Sequence, residues 1–146
     1  MSYWDTSALL KLYVAETDSL AFRQKSATDG TPPVTAELTT WEARTAFRRK
    51  EAEGLLSLGS ASALHSLLLA DVDAGDVRLI HHSVAAEAEF GRVLDTCFAK
   101  TPPVLIRTLD AIHLASAKVA GEIEIVATDK RLREAALALG FTLFPK

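Results

Sequence analysis

Five glycines, at positions 30, 54, 75, 121 and 140, each close a stretch patterned for a helix, and short apolar runs lie between those stretches. A glycine just past a helix takes the left-handed conformation that ends it at no steric cost. The helical stretches cover residues 8–15, 17–27, 37–53, 57–74, 83–99, 108–120 and 129–139, with Asp5-Thr6-Ser7 and Ser83 as N-cap candidates. The apolar runs cover residues 1–4, 34–36, 77–81, 123–127 and 141–144, and Pro32-Pro33 and Pro102-Pro103 exclude helix at two of the joints. Strands that alternate with helices pair in parallel through crossovers. Runs that are apolar throughout are expected where helices cover both faces of the sheet. The pattern therefore predicts an α/β fold with a mainly parallel central sheet.

Nothing divides the chain, so residues 1–146 are expected to form a single domain, long enough to bury a core without staples. The tetrapeptide TPPV occurs at 31–34 and again at 101–104, but the flanks do not match, which makes it no repeat. No apolar run approaches the ~20 residues of a membrane span, and the N-terminus lacks the basic and apolar regions of a secretory leader. The lone Cys97 forms no internal bridge and reads as a small buried hydrophobe. Together these features predict a cytoplasmic protein with no membrane contact. A net charge of −3 does not advertise a nucleic-acid binder. Carboxylates gathered to hold a cation would lower that figure, however, and Arg44, Arg48, Arg49 and Lys50 crowd into seven positions.

Four acids stand where a parallel fold gathers its chemistry, outside the carboxyl ends of the strands. Asp5 follows the first apolar run and Asp129 the fourth, while Asp110 opens a helix. Glu42 lies about a turn and a half into its helix, beside an apolar face carrying Ala46 and Phe47. Capping alone would account for Asp5 and Asp129, and the helix dipole for Asp110. Neither accounts for Glu42, or for the convergence of acids on one rim. Clustered carboxylates repel unless a proton or cation sits among them, and an oxygen-only set suits Mg2+ or Mn2+. Such sites activate water against phosphodiesters.

Four segments, in this order, resemble the motifs of the PIN-domain family and of its VapC-type toxins in particular. They are WDTSALLKLY from Trp4, ELTTWEAR from Glu37, RTLDAIHLA from Arg107 and ATDKRL from Ala127. The resemblance spans the whole chain. It implies a three-layer α/β/α sandwich and an endoribonuclease dependent on Mg2+ or Mn2+. It also implies a toxin of a type II toxin–antitoxin pair, restrained by a small cognate antitoxin, and a homodimer. Carried over by position, Asp5, Glu42, Asp110 and Asp129 would be the catalytic metal ligands. Thr6 and Thr128, and after them Ser7, would support these acids by hydrogen bonds.

His113, three residues after Asp110, has a possible ligand spacing but sits among Ile112, Leu114 and Ala115, where a packed histidine is expected. Glu37 is the rival of Glu42, five residues away on the same helix. Arg44, Arg48 and Arg49 form an ordinary solvated face that becomes a set of RNA phosphate contacts if the chain is a nuclease. Trp4 and Trp41 read as core or interface, and the 57–70 stretch as a possible dimer surface. Three other functions compete. A haloacid-dehalogenase-type phosphatase would need an Asp where Ser7 stands. A receiver module would need an Asp at the end of a central strand, and the 77–81 run ends in His81. A non-toxin PIN nuclease of RNA processing fits the same acids.

Overall fold

The computed structural model describes all 146 residues. Five parallel strands, β1 (Ser2–Trp4), β2 (Val34–Ala36), β3 (Arg78–Ile80), β4 (Glu124–Val126) and β5 (Thr142–Phe144), form one sheet in the order β3-β2-β1-β4-β5. Seven helices flank it: α1 (Thr6–Leu10), α2 (Ser19–Asp29), α3 (Leu38–Ala52), α4 (Ser60–Ala74), α5 (Val84–Phe98), α6 (Thr108–Ala120) and α7 (Lys130–Ala138).

The period of two along the strands sorts the core into two layers. Tyr3, Ile125 and Ala127 point to one face, where they meet Leu114 and Ala115 of α6, Leu132 and Ala135 of α7, and Val93 and Cys97 of α5. Trp4 and Val126 point to the other, against Leu9 of α1, Phe22 of α2, Ala43 and Phe47 of α3, and Leu68 of α4. The chain is thus a three-layer α/β/α sandwich whose inner strands β1 and β2 are buried throughout, with β4 nearly so, while the edge strands β3 and β5 are partly open.

Sheet order locates the functional end. From β1 the chain moves outward through β2 and β3, then returns to place β4 on the other side of β1, with β5 beyond it. The crossovers therefore diverge between β1 and β4, and a crevice opens at the carboxyl ends of those two strands. Asp5 follows β1 and Thr128-Asp129 follows β4.

Some boundaries differ from expectation. The 8–15 helix is only Thr6–Leu10, because the next residues turn through short-range bonds such as Leu12 N to Leu9 O and Tyr13 N to Leu10 O. Lys11 then anchors the reversal by reaching Glu16 and Asp18, both at 2.7 Å. The 57–74 helix begins only at Ser60, because Gly59 has φ +86°, outside helical space. Ile123 lies outside its strand and is exposed. The 77–81 run is the edge strand, not a central one. The residue at the end of the central strand is Asp5, so His81 gives no ground for excluding a receiver.

Candidate active site

Asp5 occupies the crevice between β1 and β4. Its backbone N–H donates to Val126 O at 3.0 Å, continuing the strand pairing one residue beyond β1. Its carboxylate caps α1 by accepting from Ala8 N at 2.8 Å, and also accepts from Ser7 Oγ at 2.8 and 3.0 Å. Thr128 Oγ1 stands 3.0 Å from Ser7 Oγ, so both hydroxyls reach the same carboxylate in series. Asp5 is only 5% exposed and has no cationic partner at ion-pair distance. Burial pushes its carboxyl up to about 6, against the pull of the His113 charge and of the bonds from Ala8 and Ser7, while Glu42 adds to the rise.

Glu42 meets Asp5 from the other side, on α3. Its Oε1 accepts from Thr6 Oγ1 at 2.6 Å and lies 2.8 Å from His113 Nε2. A carboxylate only accepts, so His113 Nε2 carries hydrogen, while His113 Nδ1 lies 2.8 Å from the Tyr3 hydroxyl. Tyr3, His113 and Glu42 thus form a chain running from the sheet interior to the crevice. Burial would raise the Glu42 carboxyl, but the His113 bond and charge and the Thr6 bond outweigh it and hold it below its usual range. Beneath them Thr39 lies 3.3 Å from Thr6, Thr35 lies 2.7 Å from Thr39, and Thr35 Oγ1 donates to Trp4 O at 2.7 Å. These buried hydroxyls lock α3 to β1 and β2 and so set the height of Glu42.

Asp110 and Asp129 close the site. Asp110, in the first turn of α6, is buried, whereas Asp129 caps α7 by accepting from Leu132 N at 2.9 Å. Arg107 binds the first and approaches the second: its Nε donates to Asp110 Oδ2 at 2.9 Å, and its Nη2 lies 3.6 Å from Asp129 Oδ1.

All four acids line one cleft of about 720 Å3. Thr6, Ser7 and Thr128 line it too, Arg49 and Arg107 add cationic groups, and Lys11 and Lys50 lie there paired with Glu16 at 2.7 and 2.6 Å. No three acid, imidazole or thiol groups stand at the spacing of a preformed metal shell. The donor chemistry nonetheless fits a hard divalent cation: carboxylate and hydroxyl oxygens converge there, and Asp5 is buried without a counter-charge. Glu37 lies elsewhere. It accepts from His82 N at 2.5 Å and lies 3.0 Å from His81 Nδ1, beside a separate apolar cavity of about 620 Å3. Of the three arginines predicted to meet phosphate, Arg49 reaches the cleft, while Arg44 and Arg48 are exposed outside its lining. Trp4 is core, and Trp41 is 72% exposed beside the apolar cavity.

Sequence reasoning assigned no role to Arg107 or Tyr3. The i, i+3 spacing of Arg107 and Asp110 at a helix start was the available signal for the first. Nothing in the sequence ties Tyr3 to a histidine 110 positions away.

The sequence profile of the PIN domain matches residues 2–137. The chain is 34% identical to Ribonuclease VapC35 of Mycobacterium tuberculosis, over 98% of this chain and 95% of that protein. Two solved structures share its fold. The crystal structure of FitAcB from Neisseria gonorrhoeae superposes with a TM-score of 0.66 at 14% identity, over 99% of this chain and 96% of that one. FitAB bound to an IR36 DNA fragment gives 0.68 at 15% identity, over 99% and 94%. The acids of the cleft, the sheet order around them and a relative alike over nearly its whole length all agree: this chain belongs to the PIN-domain family, among its VapC-type members.

Proposed function

We propose that this chain is an Mg2+- or Mn2+-dependent endoribonuclease and the toxin of a type II toxin–antitoxin pair, with Asp5, Glu42, Asp110 and Asp129 as metal ligands. The observation that carries this reading is the convergence of the four acids on one cleft at the β1–β4 switch point. Resemblance to a ribonuclease of the VapC type supports RNA as substrate. Family membership sets aside the phosphatase and the receiver.

Each side chain then has a task. Asp5 is held by its cap and by Ser7, so its free lone pairs face the cleft. Glu42 is fixed by Thr6 and His113, which leaves Oε2 without a protein partner. Thr128 supports Asp5 through Ser7, and Arg49 stands in the cleft for a flanking phosphate of an RNA strand, with Arg44 and Arg48 exposed on the same helix. When bound, the cation supplies charge neutralisation at the phosphodiester and lowers the pKa of the attacking water. Attack on phosphorus with departure of the 3′-oxygen leaves a 5′-phosphate and a 3′-hydroxyl.

The same acids explain how a partner would restrain the chain. An antitoxin arginine placed against them would pair bidentately with a carboxylate and exclude the cation. Two surfaces offer themselves for a homodimer: Trp41 with the apolar cavity beside it, and the outer face of α4, where Leu67 and Leu69 are exposed while Leu68 is buried in the core. No helix is long and apolar enough to cross a membrane.

Asp5 is buried in the metal-free cleft without a cationic partner, so a cation bound only by the folded state raises stability. At a hundredfold excess of Mn2+ over its Kd the melting temperature is expected to rise by about 5–10 °C. A thermal scan with Mn2+ and with EDTA measures this, and identical curves would remove the metal from the account.

A further inference from the structure

Arg107 holds a position that neither a helix cap nor a surface ion pair explains. It occupies the N-cap position of α6 with extended backbone, φ −90° and ψ 159°, yet makes no capping bond. Its side chain instead turns into the cleft. There it forms a fork on Asp110, Nε to Oδ2 at 2.9 Å and Nη2 to Oδ1 at 3.5 Å, while Nη2 lies 3.6 Å from Asp129 Oδ1. These two acids come from different helices on either side of β4, so the guanidinium joins two parts of the site. Asp110 is well covered, with an 11% exposed side chain, but Arg107 is 54% exposed and its Nη1 has no protein partner. One cationic group therefore faces solvent and two proposed metal ligands at once.

A guanidinium stays charged at any physiological pH and cannot retire by losing a proton. A divalent cation drawn to Asp110 and Asp129 would meet that charge in its own place, and the two repel. The half-exposed side chain is free to rotate away, and the cation removes the attraction that held it. The favourable place left for it in the same cleft is beside an anion. A phosphodiester offers two oxygens that match the guanidinium fork.

On the nuclease reading above, we propose that Arg107 is a phosphate-binding residue held in reserve: it neutralises Asp110 and Asp129 in the metal-free cleft, and moves to the substrate phosphodiester when a cation takes the carboxylates. The positive charge that protects the acids before loading then grips the substrate after it. A residue that merely braced Asp110 would instead support metal binding, and that difference makes the proposal testable.

The test begins with the protein alone. Calorimetric titration of Mn2+ into wild type, Arg107→Ala and Arg107→Lys, without RNA, reads the first half. Loss of a competing half-exposed ion pair should tighten Mn2+ binding by about fivefold in Arg107→Ala. Cleavage of a short RNA at saturating Mn2+ reads the second half. KM in Arg107→Ala should rise by about tenfold, and the salt dependence of binding should become shallower by about one phosphate contact. Arg107→Lys keeps the charge and loses the fork, so its salt slope should match wild type while its KM still rises. Unchanged or weaker Mn2+ binding in Arg107→Ala would overturn the counter-ion role. Tighter Mn2+ binding with KM and salt slope unmoved would overturn the phosphate role. Wild type that neither binds Mn2+ nor cleaves RNA would instead defeat the nuclease reading on which the proposal rests, and no variant is needed to see it.

Discussion

Asp5→Asn, Glu42→Gln and Asp110→Asn are each expected to lower RNA cleavage by at least two to three orders of magnitude, because each removes a charge that the transition state needs held in place. The fold should survive all three. Asn accepts the Ala8 N–H as Asp5 does, so the cap of α1 remains. The Arg107–Asp110 pair is half open to solvent, and its loss is a small cost. Asp5→Asn should even stabilise the metal-free protein near neutral pH. The Asp5 carboxyl sits at about 6, above its ordinary 3.8, so the native state holds that proton more tightly than the unfolded chain does. This contribution is complete below the ordinary value and is lost as pH rises through about 6. Glu42, Glu37, Glu16 and Asp29 are shifted the other way and act below about pH 4.5. Between pH 4.5 and 6 the EDTA-treated wild type should therefore lose about 2 kcal/mol that Asp5→Asn does not lose. Denaturant melts across that range measure it, and parallel curves for the two proteins would show that Asp5 is not the buried, uncompensated acid described. Glu37→Gln, in the other cavity, should cleave like wild type.

Removal of His113 is expected to have the next largest effect. His113→Ala takes away the donor that fixes Glu42 and leaves the Tyr3 hydroxyl buried without its partner. An unsatisfied buried hydroxyl costs about 1–3 kcal/mol of stability. A proposed ligand that loses its orienting partner costs about 10–100-fold in activity or metal affinity. The double variant with Tyr3→Phe should recover part of the stability, since the orphaned hydroxyl goes with it, but none of the cleavage. Cleavage restored along with stability would show that His113 acts only through packing. The metal-ligand reading of His113 is the less favoured one on this geometry, because its two nitrogens are already engaged by Tyr3 and Glu42.

The layered parallel fold was legible because two periods and five glycine stops punctuate the chain, and helix–strand alternation constrains strand pairing. Asp5 and Asp129 were legible for a local reason: each follows an apolar run and opens a helix, so strand end and N-cap coincide. Which of Glu37 and Glu42 lines the cleft is set by tertiary contacts. Five residues apart on one helix, they face different cavities, and only the hydroxyl ladder of Thr6, Thr39 and Thr35 shows which one looks toward Asp5. The role of Tyr3 was not legible because its partner is set by packing between α6 and β1, and that of Arg107 because its i, i+3 pairing with Asp110 reads like any surface ion pair until Asp129 is seen beside it. The early end of α1 lies in the tight turn through Leu12 and Tyr13, which Lys11 Nζ braces against Glu16 and Asp18 and which no helix-stop residue marks.

The acid cleft, as proposed, is a metal-dependent phosphodiesterase site acting on RNA. The most direct test is incubation of the purified chain with a 5′-labelled RNA in Mn2+, in Mg2+ and in EDTA, followed by identification of the new ends. Cleavage with either cation and not with EDTA, yielding 3′-hydroxyl ends, is the expected result. Cleavage that persists in EDTA, or that leaves 2′,3′-cyclic phosphates, would contradict the account.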